Sequence, residues 1–72
     1  MELLIFCTDI KSRKKVRSIS PTFNKHSDII NWSVDIEDID NVLRIEATEN
    51  LSEDDVINLV QTKGFFIQPL SD

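Results

Sequence analysis

The stretch LSEDDVINLVQTKG, Leu51–Gly64, contains the marks of a complete helix and decides how the rest of the chain must be read. Ser52 can cap the N-terminus, and Asp55 three residues later completes a capping box. Glu53 and Asp54 oppose the positive end of the helix dipole. Leu51 before the cap can pack on Val56 as a hydrophobic staple, while Val56, Leu59 and Val60 repeat at the spacing of one buried face. Lys63-Gly64 ends the helix with a cation and a glycine at C′. One well-bounded helix of this kind fixes what its neighbours can be.

Immediately before it, Leu43, Ile45 and Ala47 alternate with Val42, Arg44 and Glu46, which predicts a half-buried strand. Upstream, Ile30, Trp32, Val34 and Ile36 alternate with Asn31, Ser33, Asp35 and Glu37. These two strands flank the turn DIDN, Asp38–Asn41, whose residues tolerate tight backbone geometry, so a hairpin is expected. Downstream, Phe65–Leu70 reads as a last strand, with Pro69 confining it to an edge. At the N-terminus, Glu2–Thr8 (ELLIFCT) is a short apolar run too brief for a helix. Val16, Ile19 and Phe23 then mark one face of a first helix, capped by Ser12 and extending to about His26. Pro21 removes a backbone bond, which predicts a kink near Arg17 or a restart at Ser20.

The order is therefore βαββαβ, an α+β ferredoxin-like arrangement in which a four-stranded antiparallel sheet of order 4-1-3-2 holds both helices on one face. Seventy-two residues allow one small domain, 1–72, with a thin core. The apolar share of 40% and charged share of 29% are those of a soluble globular chain. The single Cys excludes an internal disulfide, and Cys7 reads as a small buried hydrophobe. No signal peptide or membrane span is evident, so a reducing, cytoplasmic setting is expected.

The residues resemble the heavy-metal-associated domain of small copper chaperones and metal-ATPase modules over nearly the full length. Trp32-Ser33-Val34-Asp35-Ile36-Glu37 looks like that family's second strand, Asn50–Val56 like its entry to helix 2, and Gly64-Phe65 like its exit. The resemblance implies the same fold and a metal loop between strand 1 and helix 1, Gly-Met-x-Cys-x-x-Cys in the family. Here Asp9 and Ile10 stand at the Gly and Met positions, and Ser12 and Lys15 at those of the two Cys. Soft metals need thiolates, and a hydroxyl and a protonated amine do not replace them. The expectation is accordingly a metal-free relative that needs no cofactor.

Within the same loop, five of the seven residues from Lys11 to Arg17 are basic, in a chain with eight Lys and Arg and a net charge of −5. Arg13, Lys14 and Lys15 fall in the first helical turn, where each cation costs about 0.3–1 kcal/mol against the helix dipole. An anion opposite them would reverse that sign. Lys11, Ser12, Arg13, Lys14, Lys15 and Arg17 are thus the candidate binding residues, for an acidic protein partner or for the acids of residues 35–55 in a second copy. In the resembled family, this loop's surroundings form the docking surface between chaperone and target.

A second candidate is the sheet face away from the helices. If Leu3, Ile5 and Cys7 point to the helices, then Leu4 and Phe6 point away. Val42, with Arg44 on the same side of strand 3, and Phe66 on strand 4 would join them in an apolar patch that marks an interface. The opposite register of strand 1 would abolish the patch.

Other chemistries fit less well. Cys7 and His26 are good metal ligands on different elements, and two ligands make no structural site, so metal handling would require an intermolecular site. A calcium loop around Asp38–Glu49 lacks its central Gly and has Val42 and Arg44 where oxygens belong. Phe6 and Phe66 could imitate RNA-stacking aromatics, but net charge disfavours nucleic acid, leaving only the basic loop for phosphate. With no nucleophile–base pairing and no Gly-rich loop, the chain reads as a non-enzyme.

Overall fold

A computed structural model describes residues 1–70. Its elements are β1 (Glu2–Thr8), α1 (Arg13–Asn24), β2 (Ile29–Asp35), β3 (Val42–Ala47), α2 (Glu53–Thr62) and β4 (Ile67–Pro69). The antiparallel sheet has the order β2-β3-β1-β4, as expected. This is the ferredoxin-like α+β arrangement.

Helix α2 forms as its sequence dictates. The Ser52 hydroxyl accepts from the Asp55 N–H at 3.2 Å, and the Asp55 carboxylate accepts from the Ser52 N–H at 3.0 Å. Leu51 and Val56 are both buried in the core, consistent with the staple. Lys63 caps the C-terminus, and Gly64 follows at φ +89°, a conformation that favours glycine. Helix α1 is capped by Ser12 as expected, with its hydroxyl accepting from the Lys15 N–H at 3.2 Å. It runs without a break through Pro21 rather than restarting at Ser20, and it stops at Asn24 instead of His26. The proline is exposed, so its ring meets solvent and not the sheet.

The core lies between sheet and helices. Ile19 and Phe23 from α1, Val56 and Val60 from α2, and Leu43, Ile45 and Ala47 from β3 are all fully buried. Phe23 packs against Trp32 in a tilted arrangement with ring centroids 5.0 Å apart, and the Trp32 indole N–H donates to the Asn24 side-chain oxygen at 2.8 Å. These contacts fasten α1 to the edge strand β2. A register irregularity between Ile29 and Asn31 turns Ile29 toward the core and leaves Ile30 exposed, against the simple alternation.

Strand β1 sits in the register opposite to the favoured expectation. Phe6 is fully buried, Leu4 packs on the core, and Thr8 is buried, whereas Leu3 is 58% exposed and Ile5 and Cys7 are half-buried. Both alternations of ELLIFCT are apolar, so period 2 within the strand does not choose between them. The choice is made by what lies beyond it. Phe6 pairs with Leu43 over the core, and Ile10 continues the same side into a fully buried position. The Thr8 hydroxyl donates to the Asn41 carbonyl at 2.7 Å and accepts from the Ile10 N–H at 3.2 Å.

Two measurements test this account. Phe6→Ala should cost about 3–5 kcal/mol in denaturant unfolding, whereas Leu3→Ala should cost well under about 1 kcal/mol, since it leaves no cavity. Hydrogen bonds from Ser52 hold the Asp55 carboxyl below its ordinary value, assisted by His26. A lowered folded-state pKa gives stability that is present above the unfolded value and lost as pH falls through the folded one. Asp55→Ala should therefore melt earlier than the parent at neutral pH, and the difference should shrink as the pH falls below the ordinary carboxylate range.

Candidate functional site

The segment 9–12 joins β1 to α1 and is pinned from three sides. Ile10 anchors it in the core. The Asp9 carboxylate accepts from the Phe66 N–H at 2.8 Å, and the Asp9 N–H donates back to the Phe66 carbonyl at 3.4 Å. The Thr8 hydroxyl ties the loop to Asn41, which itself adopts φ 45° in the hairpin after Asp40. Asparagine tolerates that left-handed geometry better than most residues. The loop is consequently a fixed platform.

Ser12 and Lys15 occupy the N-cap and third positions of α1. The Ser12 oxygen is engaged in capping, and the Lys15 side chain is exposed. Lys11, Arg13, Lys14 and Arg17 are exposed as well, and the first turn of α1 contains no acid. The structure thus gathers all six expected binding residues at one end. Several amides that might converge on a phosphate are already donated elsewhere: Asp9 to Phe66, Ile10 to Thr8, and Lys15 and Val16 to Ser12. The positive character here comes mainly from side chains.

Between α1 and the edge strand β2 runs a groove of about 420 Å³ lined by Arg13, Val16, Arg17, Val34 and Ile36. Its floor is apolar and its helix side holds two guanidinium groups. The sequence held its signal, since the alternation marks Val34 and Ile36 as inward and Val16 belongs to the helix stripe. Strand β2 itself ends at Asp35, and Ile36 lies in the turn beyond it. The expected order 4-1-3-2 already put the second strand at the sheet edge; what could not be read was that the start of α1 lies against it.

The acids of residues 35–55 do not form one patch. Those of the hairpin, Asp35 to Asp40, lie at the loop end, since the Thr8 N–H donates to the Asp40 carbonyl at 3.0 Å. Glu53, Asp54 and Asp55 open α2 at the opposite end, where Asp55 and His26 line a common hollow.

The expected open-face patch is corrected. Leu4 and Phe6 face the helices and belong to or pack on the core, so they cannot line the uncovered face. Val42 lies on that face but is only 4% exposed, while Arg44 is exposed and Phe66 is 51% exposed beside Asp9. Leu3 and Ile5 take the outward places instead. Cys7 also points outward rather than into the core, with its sulfur 3.9 Å from an Asp40 carboxylate oxygen. Partial desolvation, then the charges of Asp40 and Asp38, push its thiol pKa up. His26 lies past the far end of α1, its Nδ1 accepting from the Asp28 N–H at 3.1 Å. A 12-residue helix separates the two ends by roughly 18 Å, so Cys7 and His26 do not meet within one chain. Among the described residues, no three His, Cys, Asp or Glu side chains converge in a way that could hold a metal ion. No described helix is long and apolar enough to cross a membrane.

No family model matches the sequence, and no curated protein matches it. Among solved structures, a CsoZ metallochaperone superposes with a TM-score of 0.78 and 12% sequence identity, covering 93% of this chain and 96% of that one. The chain therefore has the fold of a metallochaperone over nearly its whole length.

The environment of Cys7 can be checked directly. Replacing Asp40 with Asn removes a nearby charge and the carboxylate acceptor, so the thiol pKa should fall. Alkylation of Cys7 by iodoacetamide should then reach half its maximal rate at lower pH than in the parent.

Proposed function

We propose that this chain is a non-enzymatic docking module of heavy-metal-associated type, holding an acidic, partly apolar segment of a partner protein without a resident metal ion. The groove between α1 and β2 is the observation behind this reading. Arg13 and Arg17 suit carboxylates, and Val16, Val34 and Ile36 suit aliphatic side chains. Lys11, Lys14 and Lys15 extend the positive field that would steer such a segment toward the helix end. A bound acid would also relieve the mismatch between these cations and the dipole of α1. Phosphate or nucleic acid fits less well, because the loop amides are committed and the chain is acidic overall. A single free Cys accords with a reducing, cytoplasmic setting.

The fold of a metallochaperone favours a second reading, metal handling through a shared intermolecular site. Against it stands the donor set. The fixed loop offers a capping hydroxyl and an ammonium, and Cys7 and His26 lie at opposite ends.

One experiment addresses the docking and another the metal. On an array of acidic aliphatic peptides, the parent should bind a subset in a salt-sensitive manner, and Arg13→Glu with Arg17→Glu should abolish that binding. Equal binding by the variant would reject the groove. In a Cu(I) competition with a strong chelator, the parent should take up no stoichiometric metal, whereas Ser12→Cys with Lys15→Cys should gain one tightly held ion. A defined Cu(I) or Zn²⁺ complex of the parent would instead establish the metal-handling reading.

A further inference from the structure

The helices cover one side of the sheet, and the other side has no covering element. On it, β1 presents Leu3, 58% exposed, and half-buried Ile5. Leu70, 39% exposed, lies alongside, its N–H donating to the Ile5 carbonyl at 3.0 Å. On the neighbouring strand, β3 adds one cation and one anion, Arg44 and Glu46. The ladder sets Ile5 beside Arg44 and Leu3 beside Glu46. These four side chains form a two-by-two block with an apolar column and a charged column.

We propose that a second copy of this chain covers the open face, sheet on sheet. The two-fold axis would lie between the sheets, perpendicular to the strands, at the level of the Leu4–Ile45 pair. Such a rotation stacks each strand on its own counterpart in reversed direction. It places the residue before the axis against the residue after it in the second copy. Leu3 then meets Ile5, and Arg44 meets Glu46, each contact occurring twice. One axis satisfies both columns because the ladder holds Leu3 level with Glu46 and Ile5 level with Arg44. The block is thus complementary to itself under a single symmetry operation, as a closed dimer requires.

The dimensions agree. The molecule measures 29 × 28 × 18 Å, so the open face is broad enough for the roughly 800 Å² per partner of a standard interface. Aligned sheets stacked about 10 Å apart keep their strands within about 30° of each other, which accommodates the twist. A nucleic acid strand would need stacking aromatics and several cations on these strands. The outward block provides one cation balanced by one anion.

Sedimentation equilibrium of the full chain over a concentration series tests the proposal. The mass should rise from 8.3 kDa toward twice that value. Arg44→Glu and Glu46→Arg should each weaken association by about tenfold or more, because each creates like-charge contacts at the interface. Combining the two changes should restore association, since the exchanged charges meet again. Leu3→Asp should give a monomer with an unchanged far-ultraviolet circular dichroism spectrum. A parent that stays monomeric to about 1 mM overturns the proposal. So does a dimer indifferent to Arg44→Glu, or one that the double exchange fails to rescue.

Discussion

Everything positional in this molecule depends on the burial of Phe6. Its ring occupies the middle of the core opposite Leu43, and that choice fixes the direction of every other side chain on β1. Leu4 and Thr8 must follow it inward, while Leu3, Ile5 and Cys7 must turn outward. Burial of a side chain this large is worth about 1.5–3 kcal/mol, more than exposure of Leu3 forfeits in a face that is still partly covered. The same alternation delivers Ile10 to the core and thereby sets where α1 begins. The pinned loop and the side chains that β1 shows to the bare side of the sheet both follow from that one register.

At the loop, the contrast between α1 and α2 is instructive. Both helices start with a serine cap whose hydroxyl takes the N–H of the third residue. In α2 the third residue is Asp55, which returns the favour, and three acids fill the first turn. In α1 the third residue is Lys15, and the turn contains cations alone. The chain can build a helix start that suits its dipole, and at α1 it does otherwise. Local helix stability does not account for that choice.

Much of the architecture was legible because individual signals were strong. The capping box and staple around Ser52, the alternation of Leu43, Ile45 and Ala47, and the stripe of Val16, Ile19 and Phe23 each demanded one kind of element. Strand β1 resisted because its odd and even positions are equally apolar. A clue lay just outside it, since Leu4, Phe6 and Ile10 share one parity and Ile10 needs burial. The irregularity at Ile29–Asn31 left no mark, as the alternation around Ile30 reads smoothly. At Pro21 the sequence left a kink or a restart open, and the helix runs on through it, so the restart at Ser20 does not occur. The basic residues of the site were plain in the sequence. Their groove was not, because the expected strand order puts β2 at the edge without saying that the start of α1 lies beside it.

The two surfaces belong to different layers, and this separates their energetics. The groove lies on the helix side at the outer edge of β2, whereas Leu3, Ile5, Arg44 and Glu46 lie on the bare side of the central strands. Occupation of one leaves the other geometrically free. A dimer formed through the sheets would present two grooves on its outer layers, facing away from each other. Two weak sites joined in that way bind a repeated or clustered acidic target far more tightly than either does alone, provided the target spans the gap. In a chain of 72 residues, two such surfaces on opposite layers would let so small a module hold a partner through both copies at once.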